Sequence, residues 1–175
     1  MSDLQPWRNP RTSPLQAGAA KAYLEPFGRA WLRAWWPALL WAAVIFTMST
    51  DFFSAQRTGS FLESILRWFY PSMTARQFHL FHHYIRKSAH FTEYFVFCLL
   101  LYRGVRGARH GWRWTWGLTA LFIAASYSIL DEIHQAFVIS REASPYDSLL
   151  DSAGAFVAFA ALWFWFRLRT KNFST

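Results

Sequence analysis

The sequence predicts an all-α integral membrane protein: a four-transmembrane-helix bundle with a short amphipathic outer-surface helix between spans 1 and 2. Three observations carry that expectation. Apolar runs approaching the roughly 20 residues that a span requires recur along the chain. Aromatic residues make up 21% of it, including 11 Trp, which suits the two membrane interfaces better than a soluble core. The basic residues behind a net charge of +8 mostly flank the apolar runs. Charge so placed explains topology, and nucleic acid is not expected as a partner.

The length of 175 residues suits one domain. Residues 1–30 lack the continuous apolar stretch of a cleaved signal peptide. Pro6, Pro10, Pro14 and Gly18 suggest a flexible basic tail there. The membrane domain is then 31–169, and 170–175 is a second tail. The single cysteine, Cys98, excludes an intrachain disulfide.

The first span is expected at about Ala34 to Ser49. Between Thr50 and Ala75, Phe61, Leu62, Ile65, Leu66 and Phe69 repeat at helical spacing opposite Glu63 and Arg67. That pattern suits a short helix lying on the outer surface and ended by Pro71. Thr74-Ala75-Arg76-Gln77 resembles a capping box opening the second span, Phe78 to Tyr102. This span reaches full length only if its polar first half is included. The third, Trp112 to Ile133, and the fourth, Tyr146 to Leu168, read as clear spans. Ser144 as N-cap, Pro145 at the first helical position and Asp147 in the first turn would start the fourth.

Lys and Arg counts set the orientation. The N-terminal tail, the connection between spans two and three and the C-terminal tail hold 12 of the 18 basic residues. The opposite side holds eight of the ten acids. Both termini are therefore expected in the cytoplasm, with the protein crossing its membrane several times.

Ionisable residues near the ends of these spans mark a candidate site, because charge at bilayer depth is costly. At helical periodicity, Arg86, Lys87, His90, Glu93 and Tyr94 share a face with His79 and His83 that continues as Phe97 and Leu101. On span three, Ser128, Glu132 and Gln135 share a face with Asp131 at its edge. On span four, Asp147 and Asp151 lead into a small-residue stripe of Gly154, Ala158 and Ala161, which suits close helix packing.

Several readings compete for these groups. Polar residues at helix ends often sit in headgroups and pair with one another, and Arg86 and Lys87 can snorkel. That reading fits His79, His82 and His83 best. His90-x-x-Glu93 offers two metal ligands on one face, but no spacing typical of a metal site accompanies it. No metal is expected, and nothing in the sequence names a cofactor. Acid–base chemistry would use Glu132, His90 and Asp147, with Lys87 or Arg141 pairing Glu132. Lys87 and Arg141 would otherwise hold a phosphate or carboxylate.

Ile85-Arg86-Lys87-Ser88-Ala89-His90-Phe91-Thr92-Glu93-Tyr94 resembles the RK-x-x-H-x-x-E-Y signature of the VanZ-like family. Asp131-Glu132-Ile133-His134-Gln135, then Arg141 and Asp147, resembles its second signature. Ile45-Phe46-Thr47-Met48-Ser49 is similar to its first span, and the resemblance runs from about Trp35 to Phe166. It implies a small bacterial membrane protein whose namesake confers low-level teicoplanin resistance. The family often has Asn near Asp151, so an acid here makes the site more negative.

The leading expectation is a polar extracytoplasmic site that binds an anionic, lipid-linked or cell-envelope compound. Lys87 and Arg141 would meet the anion, with Glu93, Tyr94, Asp131, Gln135 and Asp151 completing the site. The alternatives are an intramembrane hydrolase or transferase using Glu132 and His90, and a structural scaffold of an envelope complex.

Overall fold

A computed structural model describes residues 14–50, 55–138 and 144–171, apart from the side chains of 14–27, 55–58, 61, 170 and 171. Its described residues form five helices and no strand: α1 (Pro14–Met48), α2 (Ala55–Phe69), α3 (Ala75–Arg106), α4 (Trp114–Ala136) and α5 (Pro145–Lys171). Expected tail residues 1–13 and 172–175, together with Arg141, lie outside the described residues. Helix begins at Pro14, well inside the segment expected as a tail.

Helix α3 is the hub and packs on α1, α4 and α5. Its buried stripe is His90, Tyr94, Phe97, Cys98 and Leu101, an i, i+4, i+7, i+8, i+11 series that makes one helical face. Ala120 and Ala124 of α4 and Ala155 and Ala158 of α5 complete the core around it. Helices α3 and α5 approach closely at Gly154, where a Cβ would collide with the backbone carbonyl of Phe91. The expected small-residue stripe therefore packs on α3 through Gly154 and Ala158. Ala161 is exposed and Ala155 is buried in its stead. Ala161 falls about 60° beyond Ala158 around the helix, at the edge of the packed face.

Cross-helix hydrogen bonds fix α1 against this core. Trp41 Nε1 donates to the Glu93 carbonyl at 3.0 Å, and the Tyr127 hydroxyl donates to the Ala42 carbonyl at 2.8 Å. At the other end of α3, the Arg103 guanidinium donates to the carbonyls of Arg33 and Ala34, both at 2.9 Å.

The capping box expected at Thr74 forms. The Thr74 side chain accepts from Gln77 N–H, and the Gln77 side chain accepts from Thr74 N–H, a reciprocal box. Pro145 opens α5 with Asp147 in its first turn. Gly107 and Gly111 take positive φ in the turn from α3 to α4, a region disfavoured for side chains.

Among the described residues, two helices, over Gly28–Met48 and Pro145–Arg169, are long and apolar enough to cross a membrane. Helix α3 carries too many charges in its first half. Helix α4, expected as a clear span, also falls short. Trp, Thr, Ser and Tyr dilute its aliphatic residues, and Asp131-Glu132 follow within the same helix.

Candidate functional site

The polar residues of α3, α4 and α5 meet near one end of the molecule. Lys87 of α3 forms an ion pair with Asp147 of α5, whose side chain is 9% exposed against 30% for the lysine. One helical turn deeper, His90 Nδ1 lies 3.5 Å from Asp151 Oδ1. The spacing explains the register: 87 to 90 on α3 runs parallel to 147 to 151 on α5, about one turn on each.

Helix α4 supplies the third wall. The Ser128 hydroxyl sits among three acceptors: the Ser148 carbonyl at 3.1 Å, Ser148 Oγ at 3.0 Å and Asp151 Oδ2 at 3.4 Å. Gln135 Nε2 donates to Asp131 Oδ2 at 2.9 Å. Ser49, buried at the end of α1, is a further hydrogen-bonding neighbour of the Asp131 carboxyl. All four long helices thus contribute.

The buried face of α4 runs through Ala124, Ser128, Asp131 and Gln135. Asp131 lies on that face and Glu132 at its edge, the reverse of the sequence expectation. The series 124, 128, 131, 135 is the closer fit to helical periodicity. Half-buried Glu132 uses its carboxylate to accept from the backbone N–H of Ser144. It thereby ties the end of α4 to the start of α5, and the expected pairing with Lys87 is replaced by the Lys87–Asp147 bridge.

Among the described residues, three buried polar atoms in this cluster have no hydrogen-bond partner: His90 Nδ1, Tyr94 OH and Asp151 Oδ1. The nearest approach among them, 3.5 Å, lies at the limit for a hydrogen bond. Tyr94 is fully buried and close enough to Asp131 and Asp151 to feel both carboxylates. The remaining expected site residues are less engaged. Glu93 is half-buried, and the backbone at that position faces Trp41 of α1. His79 and His83 are exposed. His134 stacks near Phe46 of α1, 4.8 Å between rings.

Sequence reasoning missed Ser49 and Ser148. Each is a small hydroxyl beside a more conspicuous group, and nothing but its register on the helix separates it from ordinary helix-end serines. Among the described residues, no group of three or more His, Cys, Asp and Glu side chains is arranged to hold a metal.

The chain matches the model of the VanZ/LLP1 family over residues 34–167. The chain belongs to the VanZ/LLP1 family. The matched span takes in α3, α4, nearly all of α5 and the apolar half of α1, so it covers every helix that contributes to the cluster. Neither the curated proteins nor the solved structures gave a match.

Proposed function

We propose that this VanZ/LLP1 protein crosses the bacterial inner membrane four times and uses its polar cluster, on the outer side, to bind an anionic, lipid-linked or other cell-envelope compound. The four spans are α1, α3, α4 and α5. Large apolar side chains cover the outward faces of all four, among them Leu39, Ile85, Phe122 and Phe156. A continuous apolar surface of that kind is rare on a soluble monomer and suits lipid. Helix α4 fits despite its diluted composition, because Leu118, Phe122, Ile129 and Ile133 are all exposed. The arginines gathered at the opposite end support cytoplasmic termini. Helix α2 would lie in the outer interface through Ile65, Trp68 and Phe69.

The observation that carries the binding reading is the trio of unpartnered buried atoms on His90, Tyr94 and Asp151. Buried polar atoms are nearly always paired, so three in one cluster suit a site that a ligand's hydroxyl or amide completes. The ligand's anionic group would meet Lys87 at the rim and draw it from Asp147, with Arg141 as a second cation. Gln135, Asp131 and Glu93 would hydrogen-bond neutral parts of the same compound. Family membership makes a cell-wall precursor the first class to test, and altered teicoplanin susceptibility the phenotype to look for.

Native mass spectrometry of the protein released gently from its own membrane tests this. A bound phosphorylated or lipid-linked mass is expected in the wild type and absent in Lys87→Met. A folded wild type that carries no such mass, even after incubation with extracted envelope lipids, would sink the reading.

The His90–Asp151 geometry favours one second reading, an intramembrane hydrolase or transferase. A carboxylate beside an imidazole orients it as a base. Here His90 acts, Asp151 positions it, and Glu132 and Asp147, engaged with Ser144 and Lys87, hold the helices in place. Asp151→Asn would then stop turnover of the captured compound while its binding persists. Unchanged turnover in that variant removes the enzymatic reading.

A further inference from the structure

The end of the molecule away from the polar cluster carries a second unassigned feature. From Tyr94 to Leu130, and again from Ser152 to the C-terminus, the sequence contains no Asp or Glu. Arginines concentrate in the turn between α3 and α4. The guanidinium groups of Arg109 and Arg113 both lie over the ring of Trp116, at 4.6 and 5.5 Å from its centroid. The ring attracts each cation but neutralises neither, so the two repel each other across one indole.

Two donors in the same turn lack acceptors. Arg106 Nε and Trp112 Nε1 are buried and unpartnered. Both adjoin Tyr102: the Arg106 guanidinium lies 6.0 Å from its ring centroid, and the Trp112 ring stacks on it at 5.3 Å. Tyr102 itself is engaged, donating to the Gly111 carbonyl at 3.1 Å. Arg103 is also engaged, through the α1 carbonyls. Arg109 also donates to the Val105 and Arg106 carbonyls, which leave its charge uncompensated, so what remains is a group of cations and N–H donors with no carboxylate near it in sequence. One oxyanion would relieve the repulsion and satisfy both orphan donors.

We propose that Arg106, Arg109, Arg113 and the Trp112 indole N–H form a binding site for the phosphate of an anionic phospholipid in the leaflet opposite the polar cluster. A lipid fits better than a soluble phosphate because the surface continues. Trp114, Leu118 and Phe122 are exposed in succession along α4 from this turn toward the middle of the bundle, a path for an acyl chain. Basic pockets at cytoplasmic helix ends bind anionic headgroups in this way. The site lies roughly 24 Å from His90 along α3, at 1.5 Å per residue. The inference rests on the membrane-spanning reading and is independent of any ligand at the outer cluster.

The test is native mass spectrometry of the full-length protein in detergent, titrated with phosphatidylglycerol or phosphatidylcholine of identical chains. The wild type is expected to retain phosphatidylglycerol about tenfold better, as two or more charge-assisted hydrogen bonds imply. The Arg106→Gln/Arg109→Gln variant should lose the preference. Trp112→Phe, which removes one N–H and leaves the ring, should weaken it about threefold. Arg103→Gln should leave it unchanged. Equal retention of the two lipids by the wild type, or an undiminished preference in both the double variant and Trp112→Phe, overturns the proposal. Inorganic phosphate displacing phosphatidylglycerol at comparable concentration would overturn the lipid assignment. Failure of the protein to insert into vesicles of either lipid would instead overturn the membrane reading beneath it.

Discussion

The two ends of this bundle handle charge in opposite ways. At the polar end the acids are buried and met by specific side chains: Asp147 by Lys87, Asp151 by Ser128 at Oδ2 while its Oδ1 faces His90 unpaired, and Asp131 by Gln135 on its own helix. At the basic end the arginines are answered by rings and carbonyls. Arg109, Arg113, Arg167 and Arg169 lie over tryptophans, and Arg109 also donates to the carbonyls of Val105 and Arg106. Buried acids restrict which helix arrangements are tolerable, since an unpaired charge there is expensive. Arginines resting on aromatic faces restrict much less, and serve orientation and surface contacts. Specificity of packing should therefore concentrate at the polar end.

Glycine substitutions break or sharpen that contrast most strongly. A Cβ at Gly154 meets the Phe91 backbone, which has nowhere to go. A Cβ at Gly117, at the basic end, meets the edges of the Trp112 and Phe159 rings, which can rotate. Gly154→Ala should cost about 3 kcal/mol and Gly117→Ala about 1 kcal/mol. Unfolding of both in one detergent measures the difference, and equal losses would remove the asymmetry. The Lys87–Asp147 pair comes next. Lys87→Met leaves a buried carboxylate without its cation and should cost about 2 kcal/mol, discounted because the lysine is partly exposed. Adding Asp147→Asn should recover most of it. A double variant no more stable than the single one would mean that the pair does not couple.

The α3 face from His90 to Leu101 was legible in the sequence because a polar and an apolar stripe shared one helical period. The capping box at Thr74 and the Pro145 start of α5 were legible because local chemistry decides them. The partnerships were not. Lys87 has several acids within plausible reach by sequence, and only the helix register selects Asp147. Glu132 was expected on the face of Ser128 and Gln135 with Asp131 at its edge, yet a rotation of 100° puts Asp131 inward. Ser49 carries no signal at all until α1 is docked by Trp41 and Tyr127. The start of α1 was also illegible: Pro14 and Gly18 read as a tail, whereas Pro14 occupies the first turn of the helix, where proline is tolerated.

A hydroxyl inside the cluster tests the intermediate scale. Ser128→Ala removes a side chain that touches both Ser148 and Asp151, without opening a large cavity. A loss of about 1 kcal/mol is expected, the usual worth of a buried hydrogen bond. A neutral result would mean that Ser148 and Asp151 find other partners and that α4 is held by its alanine contacts alone.

The smallest effects compare the two helix starts. Helix α3 begins with a complete capping box on exposed residues, so Thr74→Ala should cost about 1 kcal/mol and leave the Lys87–Asp147 pair intact. Helix α4 begins at Arg113, which has the extended backbone of an N-cap, φ −135° and ψ 133°, but makes no side-chain cap hydrogen bond. Its first-turn amides lack the acceptor that Ser would supply. Arg113→Ser should therefore stabilise α4 by about 0.5 kcal/mol, even as it removes a cation from Trp116. Opposite signs in the two variants, read from unfolding midpoints, would mean that α4 forgoes a cap in order to keep its arginine. Destabilisation by Arg113→Ser would mean that the guanidinium on Trp116 already contributes more than a cap can, and the basic end would then be more tightly built than its exposed rings suggest.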